Sequence, residues 1–184
     1  EAYFAEGPLG ESRRARAAEV INTQRTEFQA HDLELGFRYD AGALVPDGTP
    51  VPASDPMGST YVPTTRPGHR LPHAWVQRDG QEISTQDLVG RGAFVLITDG
   101  SGRSAWSAAA AAVAAKFDVR IEAVSVGADA DVLDPRGDWA AVREFSEGGA
   151  ILVRPDNHVA FRSTGAPADA EADLVAAMST VLGR

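Results

Sequence analysis

The residues best equipped for chemistry in this chain are few and scattered. Asp99-Gly100-Ser101-Gly102-Arg103 follows a short apolar run and opens an alanine-rich one. A glycine-rich turn in that position can present backbone N–H groups to an anion, with Arg103 adding a fixed positive charge. Neither nucleotide-binding fingerprint has its full spacing here, so a tight strand-to-helix turn is the plainer reading of Gly100, Ser101 and Gly102. Of His31, His69, His73 and His158, only His69 and His73 share a short spacing. Pro72 between them opposes the helix that would align them as metal ligands. Ser104, His73 and Asp99 form a nucleophilic triad on paper, but the Gly-x-Ser-x-Gly elbow is missing. Asp129, Asp131 and Asp134 cluster without calcium-loop spacing and read as solvated acids. Trp75, Trp106 and Trp139 lie on separate elements and read as core anchors. No side chain is therefore assigned as catalytic, cofactor-binding or metal-binding.

Composition narrows the chemistry further. Seventeen basic against 26 acidic residues give a net charge of −9, which repels nucleic acid and anionic lipid, so neither is expected as a partner. With no cysteine there is no disulfide, thiolate nucleophile or redox pair. Lys116 is the one lysine, which leaves little room for Schiff-base or phosphate-loop chemistry. No apolar run approaches the roughly 20 residues that span a bilayer. The opening residues lack a basic start followed by an apolar stretch, so no leader peptide is read there. A cytoplasmic protein is expected, and the first residues read as the interior of a longer chain. At 184 residues the chain can build one ordinary core and little more.

The elements that must position these residues follow from spacing. Residues 11–30 place Ala15, Ala17, Ala18, Val20, Ile21 and Phe28 on one helical stripe. Leu33, Leu35, Phe37 and Tyr39 alternate with polar residues as in a half-buried strand. From Thr49 to Pro72, six prolines oppose regular structure, so the segment is expected either to be disordered or to lie extended along another surface. Asp79-Gly80 marks a hairpin between strands near Trp75 and Ile83, and Ser84 with Asp87 starts a short helix. Residues 93–98 read as a strand buried on both faces, and Ser104 as the cap of a helix through Phe117. Residues 119–126 form the next strand, Asp138 caps a helix over 139–145, and Gly148-Gly149 ends it. Strands at 150–154 and 158–162 flank the turn at Pro155-Asp156-Asn157, and a helix over 168–182 closes the chain.

From residue 93 the order is strand, helix, strand, helix, strand, strand, helix. That is the order of an α/β thioredoxin-like core. The expected organisation is a helix plus extended proline-rich arm over 1–73, then a thioredoxin-like domain over 74–184.

Three ordered segments carry a family resemblance over nearly the whole chain. They are Leu35-Gly-Phe-Arg-Tyr39 with Gly42-Ala-Leu-Val-Pro-Asp-Gly48, Tyr61-Val-Pro-Thr-Thr-Arg-Pro-Gly-His-Arg-Leu-Pro-His73, and Leu152-Val-Arg-Pro-Asp156 with His158-Val-Ala-Phe-Arg-Ser163. With them the chain resembles the C-terminal region of FAD-dependent aromatic-ring hydroxylases, the group of phenol hydroxylase and dichlorophenol monooxygenase. The resemblance implies a parent enzyme that uses FAD, NAD(P)H and oxygen to hydroxylate a phenol-like ring. It implies for this chain a redox-inactive, thioredoxin-like terminal domain with a packing and dimerising role. The flavin-binding Gly-x-Gly-x-x-Gly segment is absent, so no FAD-binding or phenol-orienting residue is carried over. The implied partners are the flavin domain of the parent chain and a second copy in a homodimer. Arg66, Arg70 and His73 are the candidate docking residues, because arginine forms forked hydrogen bonds across an interface. The alternative is a stand-alone thioredoxin-like module that binds a small anion or a protein at Gly100, Ser101, Gly102 and Arg103.

Overall fold

A computed structural model describes residues 3–24, 30–53, 56 and 58–184. The chain divides into two compact units, Glu1–Gly36 with Ala53–Val62, and Phe37–Pro52 with Pro63–Arg184. Residues 37–52 and 63–73 thus group with the residues that follow them.

The first unit contains α1 (Pro8–Thr23) and the single turn α2 (His31–Leu35). Pro8 suits the first helical position, where its missing N–H has no intrahelical partner to lose. Gly10 is the only buried residue of α1, and a Cβ there would stand 1.8 Å from the Ala5 carbonyl oxygen. Leu9, Val20 and Ile21 are exposed, Ile21 to 67 %. Among its described residues the expected stripe therefore forms no core. The helix starts three residues earlier than expected, and residues 25–29, including Phe28, lie outside the described residues. The strand expected over 33–39 is replaced by α2, with Arg38 alone making a bridge, to His69. The physical reason is that Leu33, Leu35, Phe37 and Tyr39 are all exposed, so the alternation has no buried face to enforce it.

The second unit is built on a seven-stranded sheet. Its strands are β1 (Trp75–Arg78), β2 (Gln81–Ser84), β3 (Phe94–Thr98), β4 (Ile121–Gly127), β5 (Val132–Leu133), β6 (Ala150–Val153) and β7 (Val159–Ser163). Their order is β2-β1-β5-β4-β3-β6-β7. β4 runs parallel to β3 and β5, while β6 and β7 are antiparallel neighbours beyond β3. The helices are α3 (Arg103–Phe117), α4 (Asp138–Val142) and α5 (Ala170–Leu182), with a 3-10 turn at Thr85–Leu88. The strand–helix alternation expected from residue 93 is present, with β5 as an addition.

β3 and β6 are buried on both faces, as an unbroken apolar run requires. On one face Val95, Ile97, Val124, Ile151 and Val153 meet Trp139, Leu88 and Leu71. On the other, Leu96 and Leu152 meet Trp106 and Val113 of α3 and Leu174 and Met178 of α5. Trp106 and Trp139 are core anchors, but Trp75 is 42 % exposed, set edge-on to His73. The hairpin forms at Asp79-Gly80, both with positive φ, and Ser84 and Asp87 complete a reciprocal capping box. Asp169 caps α5 through the Ala172 N–H. Two expected caps differ. Gly102, not Ser104, precedes α3, and the Asp99 carboxylate accepts the Gly102 N–H. Gly137, not Asp138, precedes α4, and Asp134 receives the Ala140 N–H.

The edge of β7 is covered by the chain's own proline-rich strap. Gly68 N donates to Val159 O and Val159 N to His69 O, both at 2.8 Å, and Leu71 N donates to Asn157 O. Tyr39 N in turn donates to Gly68 O, and Val45 N to Ala160 O. An otherwise open sheet edge is thereby closed. Gly68 is required at this crossing, since it has φ +94° and a Cβ there would fall 2.0 Å from Tyr39 O.

Candidate functional site

Two polar constellations stand out in the second unit. The first lies where the parallel strands end. The Asp99 carboxylate is buried and accepts N–H groups from Gly102 and Gly148, while Arg143 pairs with it at 3.3 Å. Gly102 has no room for a side chain, because a Cβ would approach Thr98 Oγ1 to 2.2 Å and Trp106 to 2.9 Å. The turn's shape is thus set by packing against β3 and α3. Trp106 Nε1 donates to Gly148 O and Thr98 Oγ1 to Gly149 O, fixing the 148–149 segment against the same turn.

Outside this turn is an open cavity of about 630 Å³, with Asp99, Gly100, Asp129, Asp134, Arg143 and Glu147 in its lining. Four carboxylates face one guanidinium there. Arg103, expected to add charge for an anion, instead donates to Ser125 Oγ at 2.9 Å and pairs with Asp131 at 3.0 Å. Asp131 also accepts from Ser125 Oγ and N, which together with Arg103 hold its carboxyl below the usual range. It is therefore a structural acid and not merely a solvated one. A dinucleotide pyrophosphate would meet acidic walls and an N–H already given to Asp99, so these residues do not fit FAD.

The second constellation is a clasp around Arg162 of β7, and sequence reasoning missed it. The Arg162 side chain is 3 % exposed. Its Nε donates to Asp47 Oδ2 at 2.7 Å, one terminal nitrogen to Glu144 Oε2 at 2.7 Å and to Thr65 Oγ1, and the other to Thr49 Oγ1. Glu144 Oε2 also accepts from Thr64 Oγ1 and Thr65 N, and Thr65 Oγ1 donates to Arg143 O. Burial works to raise the Asp47 carboxyl, but bonds from Thr49 and Arg162 outweigh it and keep the group below its usual range. One guanidinium thus ties residues 47–49, 64–65 and 144 to β7. The signal was available as Pro46-Asp47-Gly48, Thr64-Thr65 and Arg162 within the three ordered segments.

The three expected docking residues differ in placement. Arg66 Nε donates to Thr49 O and a terminal nitrogen to Pro67 O, so its fork closes a loop of its own unit. His73 Nδ1 is 2.7 Å from Ser84 Oγ, at the start of the 3-10 turn. Arg70 is exposed, next to a backbone bridge from its own residue to His158. His73 pairs with Ser84 and Asp99 with the Gly102 N–H, while Ser104 lies in the first turn of α3, so the three form no triad. Among the described residues no group of three or more His, Cys, Asp or Glu is placed to hold a metal ion. Among them, too, no helix is long and apolar enough to cross a membrane.

Residues 64–184 match the family described as "Aromatic-ring hydroxylase, C-terminal". The chain is 43 % identical over 180 residues to 2,4-dichlorophenol 6-monooxygenase of Cupriavidus pinatubonensis, a match covering 97 % of this chain and 30 % of the relative. It is 38 % identical over 174 residues to phenol 2-monooxygenase of a Pseudomonas species, covering 94 % of this chain and 28 % of that one. Among solved structures, the flavin-dependent monooxygenase PieE in complex with FAD and substrate superposes with a TM-score of 0.84 at 40 % identity, over 99 % of this chain and 31 % of that one. The chain spans about 30 % of the length of these relatives. Its residues, and the seven-stranded α/β unit they build, belong to the C-terminal domain family of aromatic-ring hydroxylases.

Proposed function

We propose that this chain is the redox-inactive C-terminal domain of an FAD-dependent aromatic-ring hydroxylase, with a packing and dimerising role. The observation that carries this reading is a match over almost all of this chain but under a third of its monooxygenase relatives, joined to an acidic lining at the strand–helix turn that does not suit a dinucleotide. The parent hydroxylates a phenol-like ring with NAD(P)H and oxygen on FAD held by its other residues. The thioredoxin-like core over 74–184 supplies a rigid body, and residues 1–73 supply the side turned to the flavin domain. The exposed Leu9, Val20 and Ile21 of α1 support that assignment, since a 16-residue helix with one buried residue has apolar surface left to cover. Arg70 and His73 are exposed and available for that contact, whereas Arg66 acts by shaping the loop that presents them. The protein is cytoplasmic.

The test is to purify the chain alone and joined to the flavin-domain sequence of the parent reading frame. The chain alone is expected to be colourless and without phenol-dependent NAD(P)H oxidation, and the joined chain yellow, active and dimeric. Stoichiometric flavin absorbance in the chain alone would overturn the reading. The alternative of an anion-binding module draws no support from Arg103, whose guanidinium is committed to Asp131 and Ser125.

A further inference from the structure

His69 lies in the strap where Gly68 and His69 are sandwiched between Tyr39 on one side and Val159 on the other. The residue is only 6 % exposed, and its Nδ1 is buried without a hydrogen-bond partner. Such an imidazole is tolerated neutral and penalised when charged. Its charged surroundings reinforce this. Arg66 of its own segment and Arg38 of the neighbouring one both oppose a positive ring, whereas Asp40 and the Arg66 carbonyl favour it. Asp40 is already paired with Arg38 at 3.1 Å, and the Arg66 carbonyl also accepts the backbone N–H of His69. On β7 and the turn before it the ionisable groups are Arg154 and His158, both beside Asp156, and Arg162, held by Asp47 and Glu144. None of these carboxylates is left over to receive a new cation.

We propose that His69 is an acid-operated latch: its protonation releases residues 38–39 and 68–71 from the edge of β7 while the Arg162 clasp stays closed. The inference rests on the strap geometry and does not depend on the proposed enzymatic context. Burial, then Arg66 and Arg38, hold the His69 ring below its ordinary value of 6.5 when the strap is docked. Docking is therefore at full strength above that value, and weakens as pH falls below it, because the released state takes the proton first. The clasp responds later, since Asp47 stays ionised to below its ordinary 3.8. Between these limits the strap opens locally without global unfolding, exposing the backbone edge of β7 and drawing Phe37 and Tyr39, which stack edge to face, away from the His158 ring and Arg154 they pack against.

The experiment is amide hydrogen exchange on the whole 184-residue chain from about pH 7.5 to about pH 5, expressed as protection relative to each amide's intrinsic rate. Protection of the Tyr39, Gly68 and Val159 amides is expected to fall, approaching about tenfold per pH unit, the limit for one proton. Amides between β3 and β6 are expected to hold. In His69→Phe the strap amides are expected to lose this pH dependence. Wild-type strap protection that is flat to pH 5, or that falls equally in His69→Phe, would overturn the proposal. Should that variant fail to fold, the wild-type imidazole titration is followed by NMR. A His69 transition coincident with strap release supports the latch, and a transition without release refutes it.

Discussion

Replacing Arg162 with methionine isolates the clasp. The guanidinium is 3 % exposed and reaches two carboxylates and two threonine hydroxyls. Methionine keeps much of the side-chain volume but no donor. Breaking a buried pair by removing one partner costs about 3–5 kcal/mol, because the remaining charge is stranded. The two carboxylates do not share that fate equally. Glu144 is 43 % exposed and keeps its bonds from Thr64 and Thr65, so its loss lies within the roughly 0–1 kcal/mol of a screened surface pair. Asp47 is 12 % exposed and bears most of the cost. The expected destabilisation is thus near the lower end, about 3 kcal/mol. Urea unfolding followed by tryptophan fluorescence reads it directly, since Trp106 and Trp139 are both buried. If stranding of Asp47 is the cause, Asp47→Asn in the Arg162→Met background recovers about 1–2 kcal/mol, although the same change alone destabilises. A loss below about 1 kcal/mol for Arg162→Met, or no recovery in the double variant, would refute the argument.

Three further outcomes follow from the same geometry. Gly68→Ala places a Cβ 2.0 Å from Tyr39 O at φ +94° and is expected to cost at least about 2 kcal/mol in urea unfolding, whereas Gly80→Ala, at φ +78° in open space, costs about 1 kcal/mol. Equal losses at the two positions would show that backbone conformation alone matters at Gly68. Asp47 and Asp131 both have lowered folded-state pKa values, so the stability they contribute is present above their ordinary 3.8 and is lost as pH falls through the lower folded values. Asp47→Asn should flatten this acid limb in melts between about pH 5 and about pH 2.5, and an unchanged limb would remove the clasp from the account. Arg103→Ala breaks a pair with Asp131 in which both side chains are nearly half exposed, so its cost is expected to stay below about 1 kcal/mol, and phosphate is expected to leave both proteins' melting temperatures unchanged.

The parts of the fold legible in the sequence are those whose pattern is enforced by burial. Residues 93–98 and 150–154 read as strands, and form them over 94–98 and 150–153, because apolar side chains fill both faces, and Asp79-Gly80 read as a hairpin because its positive φ values demand it. Leu33 to Tyr39 carried an equally clear alternation, yet neither face is covered and a helical turn prevails locally. β5 is only two residues long and sits among aspartates, so its single pairing with Gln77 and its parallel contact with β4 left no periodic trace. Proline content opposes helices and strands between residues 49 and 72, and none forms among the described residues there, but it carries no information about backbone pairing. That segment closes the sheet edge through Gly68, His69 and Leu71, bonds that depend on where residues 157–159 arrive, and on a glycine that tolerates the approach of Tyr39.

The arginines mark the limit of such reading for the site. Arg66, Arg103 and Arg162 are the same letter, and motif position alone favoured Arg66 and Arg103 as groups facing a ligand or partner. What separates them is which acceptors the fold delivers within reach. Arg103 meets Ser125 and Asp131 from β4 and the loop after it, Arg66 meets the Thr49 carbonyl, and Arg162 meets Asp47 and Glu144 across 115 and 18 residues of chain. A guanidinium so satisfied gains nothing by turning outward, and one 3 % exposed cannot do so without opening the strap. The residues that hold the strap in place are therefore the buried ones, whereas Arg70 on the strap and Leu9, Val20 and Ile21 of α1 stay exposed.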